Sequence, residues 1–318
     1  MTKWMLIALL AGLAVGCAVA SAPDGERDEP ADTATLGADA VKTGPELSTE
    51  LTETWRKQKA LKVPTWLDEQ PGPDVELRAL HDGEYLYVFA RWADATESTE
   101  KKGWAYREGK WQKLKGDEDR IAFAFNISSP AFDKDGCAGA CHEGDFRVTD
   151  KGGKVDIWHW KAARGGMFSH ADDQRLTDAA ENPRGDDAGK SAYSNNQNAE
   201  GTAPARIWKQ DADTAGAFNA DTSIELPADW TPAADYRVPS ILLRAPEGSR
   251  GDIQARGSCK DGHWQVMLKR KLDTGHDDDA VFKVGEEITF SLSVFDDTGA
   301  VTGDEHAVSG PIKLVLKR

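Results

Sequence analysis

Glu84-Tyr-Leu-Tyr-Val-Phe-Ala-Arg-Trp92 decides the fold class. Aromatic and aliphatic residues dominate it, and at its centre they fall on both faces, which predicts an inner strand covered from both sides. Asp82-Gly83 just before it is a hairpin turn signal that follows Val75-Glu-Leu-Arg-Ala-Leu80. Further strands are predicted over 120–127, 154–160, 240–244, 252–258, 263–270, 287–295 and 312–316, with Lys260-Asp261-Gly262 turning between two of them. Helical signal is sparse. Leu51, Trp55 and Lys59 are spaced by four within 48–59, and 172–180 reads as a second short helix. The stretch 178–222 is polar and rich in Gly, Asn and Asp, so a long surface excursion is expected. Many strands separated by turns, and no internal repeat, predict an all-β chain folded as a sandwich with long loops and a few short helices.

The chain has 318 residues and a formal net charge of −15, which argues against nucleic acid or an anionic membrane surface as partner. Lys3 followed by an apolar run over 4–15 reads as an export signal within 1–20, too short for a comfortable membrane span. Ala14-Val15-Gly16-Cys17 resembles a lipobox, in which Cys17 would carry a lipid anchor, whereas Ala18-Val19-Ala20 offers an ordinary cleavage site. Either outcome predicts a periplasmic protein, anchored at the membrane in the first case. Residues 21–45 are acidic and poor in large apolar side chains, so a flexible tether is expected there, leaving 46–318 as a single domain.

Cys137-Ala-Gly-Ala-Cys141-His142 carries the chemistry. Two thiols can add to the vinyl groups of one haem, and the histidine after the second can bind the iron. The spacing is C-x-x-x-C-H, one residue longer than the usual attachment motif. Gly139 and the two alanines keep the longer loop small. The plainer alternative is a disulfide between Cys137 and Cys141. With haem attached, Cys259 is left single, and burial is expected for it. Small electron-transfer cytochromes c are usually helical, so a motif lying between strands implies a different haem fold.

Several stretches then resemble one family, the haem-binding subunits related to the γ subunit of ethylbenzene dehydrogenase. The resemblance covers most of the chain after about residue 55. It rests on Ala79–Val88 with Arg91-Trp92, on Glu118–Phe123, and on Asp156-Ile-Trp-His-Trp-Lys-Ala-Ala-Arg164. It continues through Ala171–Gln174, Gly262–Val266 with Arg270 and Leu272, and His306–Ser309. What it implies is an immunoglobulin-like β-sandwich with one haem at an end of the sheets. In the γ subunits that haem is haem b, held by a methionine and a lysine. Here Cys137–His142 stands in the methionine's loop and His306 in the lysine's place, so the chain resembles a branch with one covalently attached haem c.

His142 is the expected proximal ligand and His306 the expected distal one, with His159 as rival because it faces opposite to Trp158 and Trp160 in an extended segment. Trp158 and Trp160 are expected to wall the haem pocket or to pack the sandwich. Lys161 and Arg164 are candidates for haem propionates, or else surface cations. Met167, His170, His263 and Met267 are weaker ligand candidates. Two imidazoles would leave no open position on the iron, which suits electron exchange rather than catalysis. The first expectation is therefore an exported monohaem cytochrome serving redox partners such as a small soluble cytochrome or a molybdoenzyme. The alternatives are a haem-based sensor and the electron-transfer subunit of a molybdoenzyme complex. Thr274–Asp279 and Asp211–Asp213 are acidic but lack the spacing of a calcium loop, and read as solvated turns.

Overall fold

The computed structural model describes residues 34–143, 147–165, 169–214, 216–297 and 305–318, the side chains of 141–143 excepted. The expected export signal, Cys17, most of the tether and Met167 lie outside these residues.

The main sheet is built from β1 (Thr35–Ala40), β2 (Val75–His81), β3 (Tyr85–Ala93), β4 (Arg120–Asn126), β5 (Lys154–Lys161), β6 (Asp172–Thr177), β7 (Arg184–Asp186), β8 (Gln254–Lys260), β9 (His263–Lys271), β10 (Glu287–Phe295) and β11 (Ile312–Leu316). Their spatial order is β7-β6-β5-β4-β10-β11-β1-β2-β3-β9-β8. β1 runs parallel to both neighbours, with Leu36 opposite Leu314 and Ala38 opposite Ala79. The end of the expected tether is thus a strand inside the sheet. Leu36 and Ala38 point into the core, and this alternation outweighs the acidic surroundings.

The two wings of this path face each other as the layers of a β-sandwich. Ile121, Phe123, Phe125, Trp158, Trp160 and Leu292 from one wing share a core with Leu77, Val88, Trp92, Trp264 and Val266 from the other. Trp160 and Trp264 meet edge to face across the layers at 5.1 Å. The approach is close because β8 offers Gly257, where a Cβ would stand 2.2 Å from the Trp160 ring.

Both outer faces are covered as well, which is why 84–92 reads as apolar on two sides. Leu86, Val88, Ala90 and Trp92 point inward, while Tyr87 and Phe89 lie outside with Met267 beneath Trp55. Trp55 belongs to α1 (Glu53–Arg56), a single turn within the helix expected over 48–59. On the opposite wing, Ala122, Ala124, Val155, Ile157, Leu176 and Phe295 are covered by α2 (Pro130–Cys137). Residues 172–177 form β6 rather than a helix. Asp172 to Thr177 pair with β5 along their whole length, and tertiary pairing prevails over a weak helical pattern. The stretch 178–222 is more than a surface excursion. Ile207, Trp208 and Phe218 join Trp104 and Val238 in a small core of their own.

Candidate haem-attachment site

α2 begins at Ser129, whose Oγ accepts from Phe132 N at 3.2 Å, with Pro130 in the first turn. Asp150 supports the same turn by accepting from Ala131 N at 2.9 Å. The helix ends on Gly136, with φ +60°, and a tight turn follows over Ala138–Glu143 with five-residue hydrogen-bond spacing. At Gly136 a Cβ would stand 2.4 Å from Ser291 Oγ, so only glycine lets the chain press onto β10 here. Cys137 N then donates to Ser291 Oγ at 3.1 Å, and Cys137 Sγ lies 3.9 Å from Ser293 Oγ. The first thiol of the motif is thereby fixed against the outer face of β10. The side chains of Cys141 and His142 lie outside the described ones.

Period-two alternation explains what Cys137 faces. β4 and β10 send Ile121, Phe123, Phe290 and Leu292 into the core, and present Ala122, Ala124, Ser291 and Ser293 outward. This floor of alanine and serine lets Phe132, Cys137 and Ala140 pack directly onto the sheet. Cys137, Ser293, Phe295 and His306 line one cavity over Ala122 and Ala124, and Arg184 closes it. The Phe295 ring stacks on His306 at 4.4 Å and on His159 at 5.3 Å, and the Arg120 guanidinium lies 4.2 Å from its centre. A thiol and an imidazole thus share a small buried cavity of about 30 Å³ above small residues, and a haem would fit between them only if α2 or the His306 segment moved outward.

His159 is buried on the outer face of β5, opposite to Trp158 and Trp160, as its register predicts. Arg184 Nη2 lies 3.0 Å from His159 Nδ1 and 3.1 Å from Gln174 Oε1. Nδ1 also lies 3.2 Å from Gln174 Oε1, so it faces one donor and one acceptor and these contacts fit either tautomer. Nε2 has no hydrogen-bond partner among the described residues. Burial, and then the nearby Lys161 and Arg184, hold the ring neutral, well below the usual histidine range.

The two tryptophans take the second of the places expected for them, packing the sandwich, and the cations depart from expectation. Trp158 and Trp160 belong to the core between the layers and face away from Cys137. Lys161 and Arg164 are neither surface cations nor available to propionates. Lys161 is buried against Asp172, and Arg164 against Glu118, and both reach the Tyr193 hydroxyl, at 3.3 and 3.1 Å. Burial pushes the Lys161 ammonium down to about 7 in spite of Asp172. The cations that do meet the cavity wall, Arg120 and Arg184, escaped the sequence reading. Arg120 shares the outward register of Ala122 and Ala124, which is the signal that could have found it. His170 is buried beside Asp172, His263 hydrogen-bonds the Asp261 carbonyl at 2.9 Å, and Met267 packs in the core under Trp55. Cys259 is half-buried rather than fully enclosed, and burial raises its thiol.

A second, larger cavity of about 900 Å³ lies beside the small core of the 178–222 stretch, between Trp104, Trp208, Phe218 and Tyr236. Its described lining residues include Lys101 and Tyr236 but no histidine, cysteine or methionine.

A family model described as ethylbenzene dehydrogenase matches residues 52–307. No curated protein matches the chain. Similar solved structures include a carbohydrate binding module of family 9 from Caldicellulosiruptor kristjanssonii in complex with glucose, at 10% identity over 89% of this chain and 97% of that one, with a TM-score of 0.35. A putative carbohydrate-binding protein from Bacteroides uniformis is similar at 8% identity over 89% of this chain and 100% of that one, with a TM-score of 0.40.

Proposed function

Because the chain belongs to the ethylbenzene dehydrogenase family, we propose that it is a haem-bearing electron carrier acting as the electron-transfer subunit of a molybdoenzyme complex. Family membership favours this reading over the free-standing periplasmic cytochrome that the sequence put first. The observation that carries the haem assignment is the shared cavity of Cys137 and His306 over the alanine and serine face of β4 and β10.

In this proposal Cys137 and Cys141 hold one haem c through thioethers, and His142 and His306 bind its iron. The haem supplies a reversible one-electron couple. The protein's part is to bind it, keep water away and limit change at the site when the electron moves. Ser291 fixes the Cys137 backbone, Phe295 orients His306, and Arg120 and Arg184 place positive charge beside the cavity. A periplasmic location, with or without a lipid on Cys17, belongs to the same proposal. A free-standing cytochrome with small soluble partners is the second reading, favoured by the departure from methionine and lysine at the two ligand positions.

Purification of the full chain from its native membrane and periplasmic fractions tests the assignment. The expected result is a haem protein that co-elutes with a molybdenum-containing subunit in constant ratio. Haem protein eluting alone would favour the free-standing cytochrome, and protein lacking haem would overturn both readings.

A further inference from the structure

On the core side of the same strands, buried acid groups outnumber their counter-charges. Asp156 on β5 and Asp173 on β6 point between the layers, and Asp279 joins them from the loop before β10. One carboxylate oxygen from each lies within 4.8 Å of the other two. Arg270 reaches across from β9, with Nη1 at 2.5 Å from Asp156, 3.3 Å from Asp279 and 3.9 Å from Asp173. One guanidinium against three carboxylates leaves negative charge inside the sandwich, which is unfavourable unless a further cation or protons compensate it.

An independent feature points to a cation. Asp173 is fully buried, yet neither of its carboxylate oxygens receives a hydrogen bond, and Asp156 Oδ1 and Asp279 Oδ1 likewise receive none. The second oxygens are engaged. Asp156 Oδ2 accepts from Ala280 N at 2.9 Å and Trp158 Nε1 at 3.3 Å, and Asp279 Oδ2 accepts from Thr274. Asp279 Oδ1 and Asp173 Oδ2 face Arg270 Nη1 at 3.3 and 3.9 Å, whereas Asp156 Oδ1 and Asp173 Oδ1 keep unused lone pairs. Thr274–Asp279, read from sequence as a solvated turn, thus ends in a buried anchor.

We propose that Asp156, Asp173 and Asp279 form a site for a hard divalent cation, with Ca²⁺ as the best match. Oxygen donors alone suit Ca²⁺ or Mg²⁺, and Ca²⁺ accepts the irregular ligand spacing that Mg²⁺ does not. Toward the surface, exposed His276 lies 3.8 Å from Asp279 and 2.8 Å from Asp252. The ion would tie the loop before β10 to β5 and β6. This inference does not rest on the haem.

Calorimetric titration of CaCl₂ into EDTA-treated full-length protein tests it, with thermal unfolding alongside. One Ca²⁺ should bind per chain, and a hundredfold excess over Kd should raise Tm by about 5 °C or more. Asp173→Asn and Asp279→Asn should each weaken Ca²⁺ binding by at least about tenfold, on the magnitude of one lost charged ligand. If neither variant folds, the wild-type titration decides the matter. Absence of both heat and Tm shift would show that protons neutralise the cluster, and would overturn the proposal. Equal binding by wild type and folded variants would overturn it too.

Discussion

Phe295 and His306 stack with ring centroids 4.4 Å apart and planes 27° from parallel. The contact holds His306 at the wall of the cavity that Cys137 also lines. If His306 is the distal ligand, the reduced wild-type holoprotein will not bind carbon monoxide. His306→Ala should bind it stoichiometrically, and His159→Leu should remain inert. Optical spectra of the three reduced proteins under carbon monoxide provide the check. Binding by His159→Leu but not His306→Ala would exchange the roles of the two histidines.

Gly136 sets the height of Cys137 above β10. With φ +60° and Ser291 Oγ 2.4 Å from the place of a Cβ, Gly136→Ala suffers both backbone strain and a clash. A loss of about 1–3 kcal/mol in unfolding free energy is expected, measured by urea denaturation. The fraction of chains carrying covalent haem should fall in parallel, read by haem staining of denatured protein. Full attachment with unchanged stability would mean that the thiol does not need this seat.

Arg270 is fully buried between the layers, against Asp156 at 2.5 Å and beneath the Trp158 ring at 4.8 Å. Arg270→Met removes the compensating charge and leaves the buried carboxylates uncovered. The expected cost is about 3–5 kcal/mol in unfolding free energy. Equal denaturation midpoints and slopes for Arg270→Met and wild type would contradict this placement.

Asp119 accepts from Ser98 N at 2.7 Å, Trp264 Nε1 at 2.9 Å and Asp297 N at 3.1 Å, yet burial dominates and pushes its carboxyl up to about 6. A raised native value means that the folded state holds the proton more tightly than the unfolded one. The resulting stability is complete below about pH 3.8 and is lost as the pH rises through about 6. Wild type should therefore lose about 2 kcal/mol of unfolding free energy relative to Asp119→Asn from pH 4 to pH 7. Parallel pH profiles for the two proteins would refute the shift.

Strand positions were legible because 84–92 is apolar on both faces and 287–295 alternates core residues with the outward Ser291 and Ser293. Residues 35–40 and 172–177 were not legible as strands. Each depends on partners distant in sequence, as β1 does on β2 and β11, and local composition there is polar. At the site, the cysteine and histidine motif identifies itself by spacing, and alternation places His159 opposite the tryptophans. Alternation alone could not tell that the His159 face, rather than the tryptophan face, is the one Cys137 covers. That follows from α2 lying over Ala122 and Ala124. Nor could it show that Lys161 and Arg164 are already paired, since Asp172 and Glu118 meet them only through the fold.

Haem attachment remains the claim on which the functional reading stands. The most direct measurement is the alkaline pyridine spectrum of protein made with a competent haem-maturation system, before and after acid–acetone extraction. Haem that stays with the polypeptide, with the signature of saturated vinyl groups, and that is lost from the double variant Cys137→Ala/Cys141→Ala, is the expected result. Haem that extracts completely, or protein that takes up none, would contradict it.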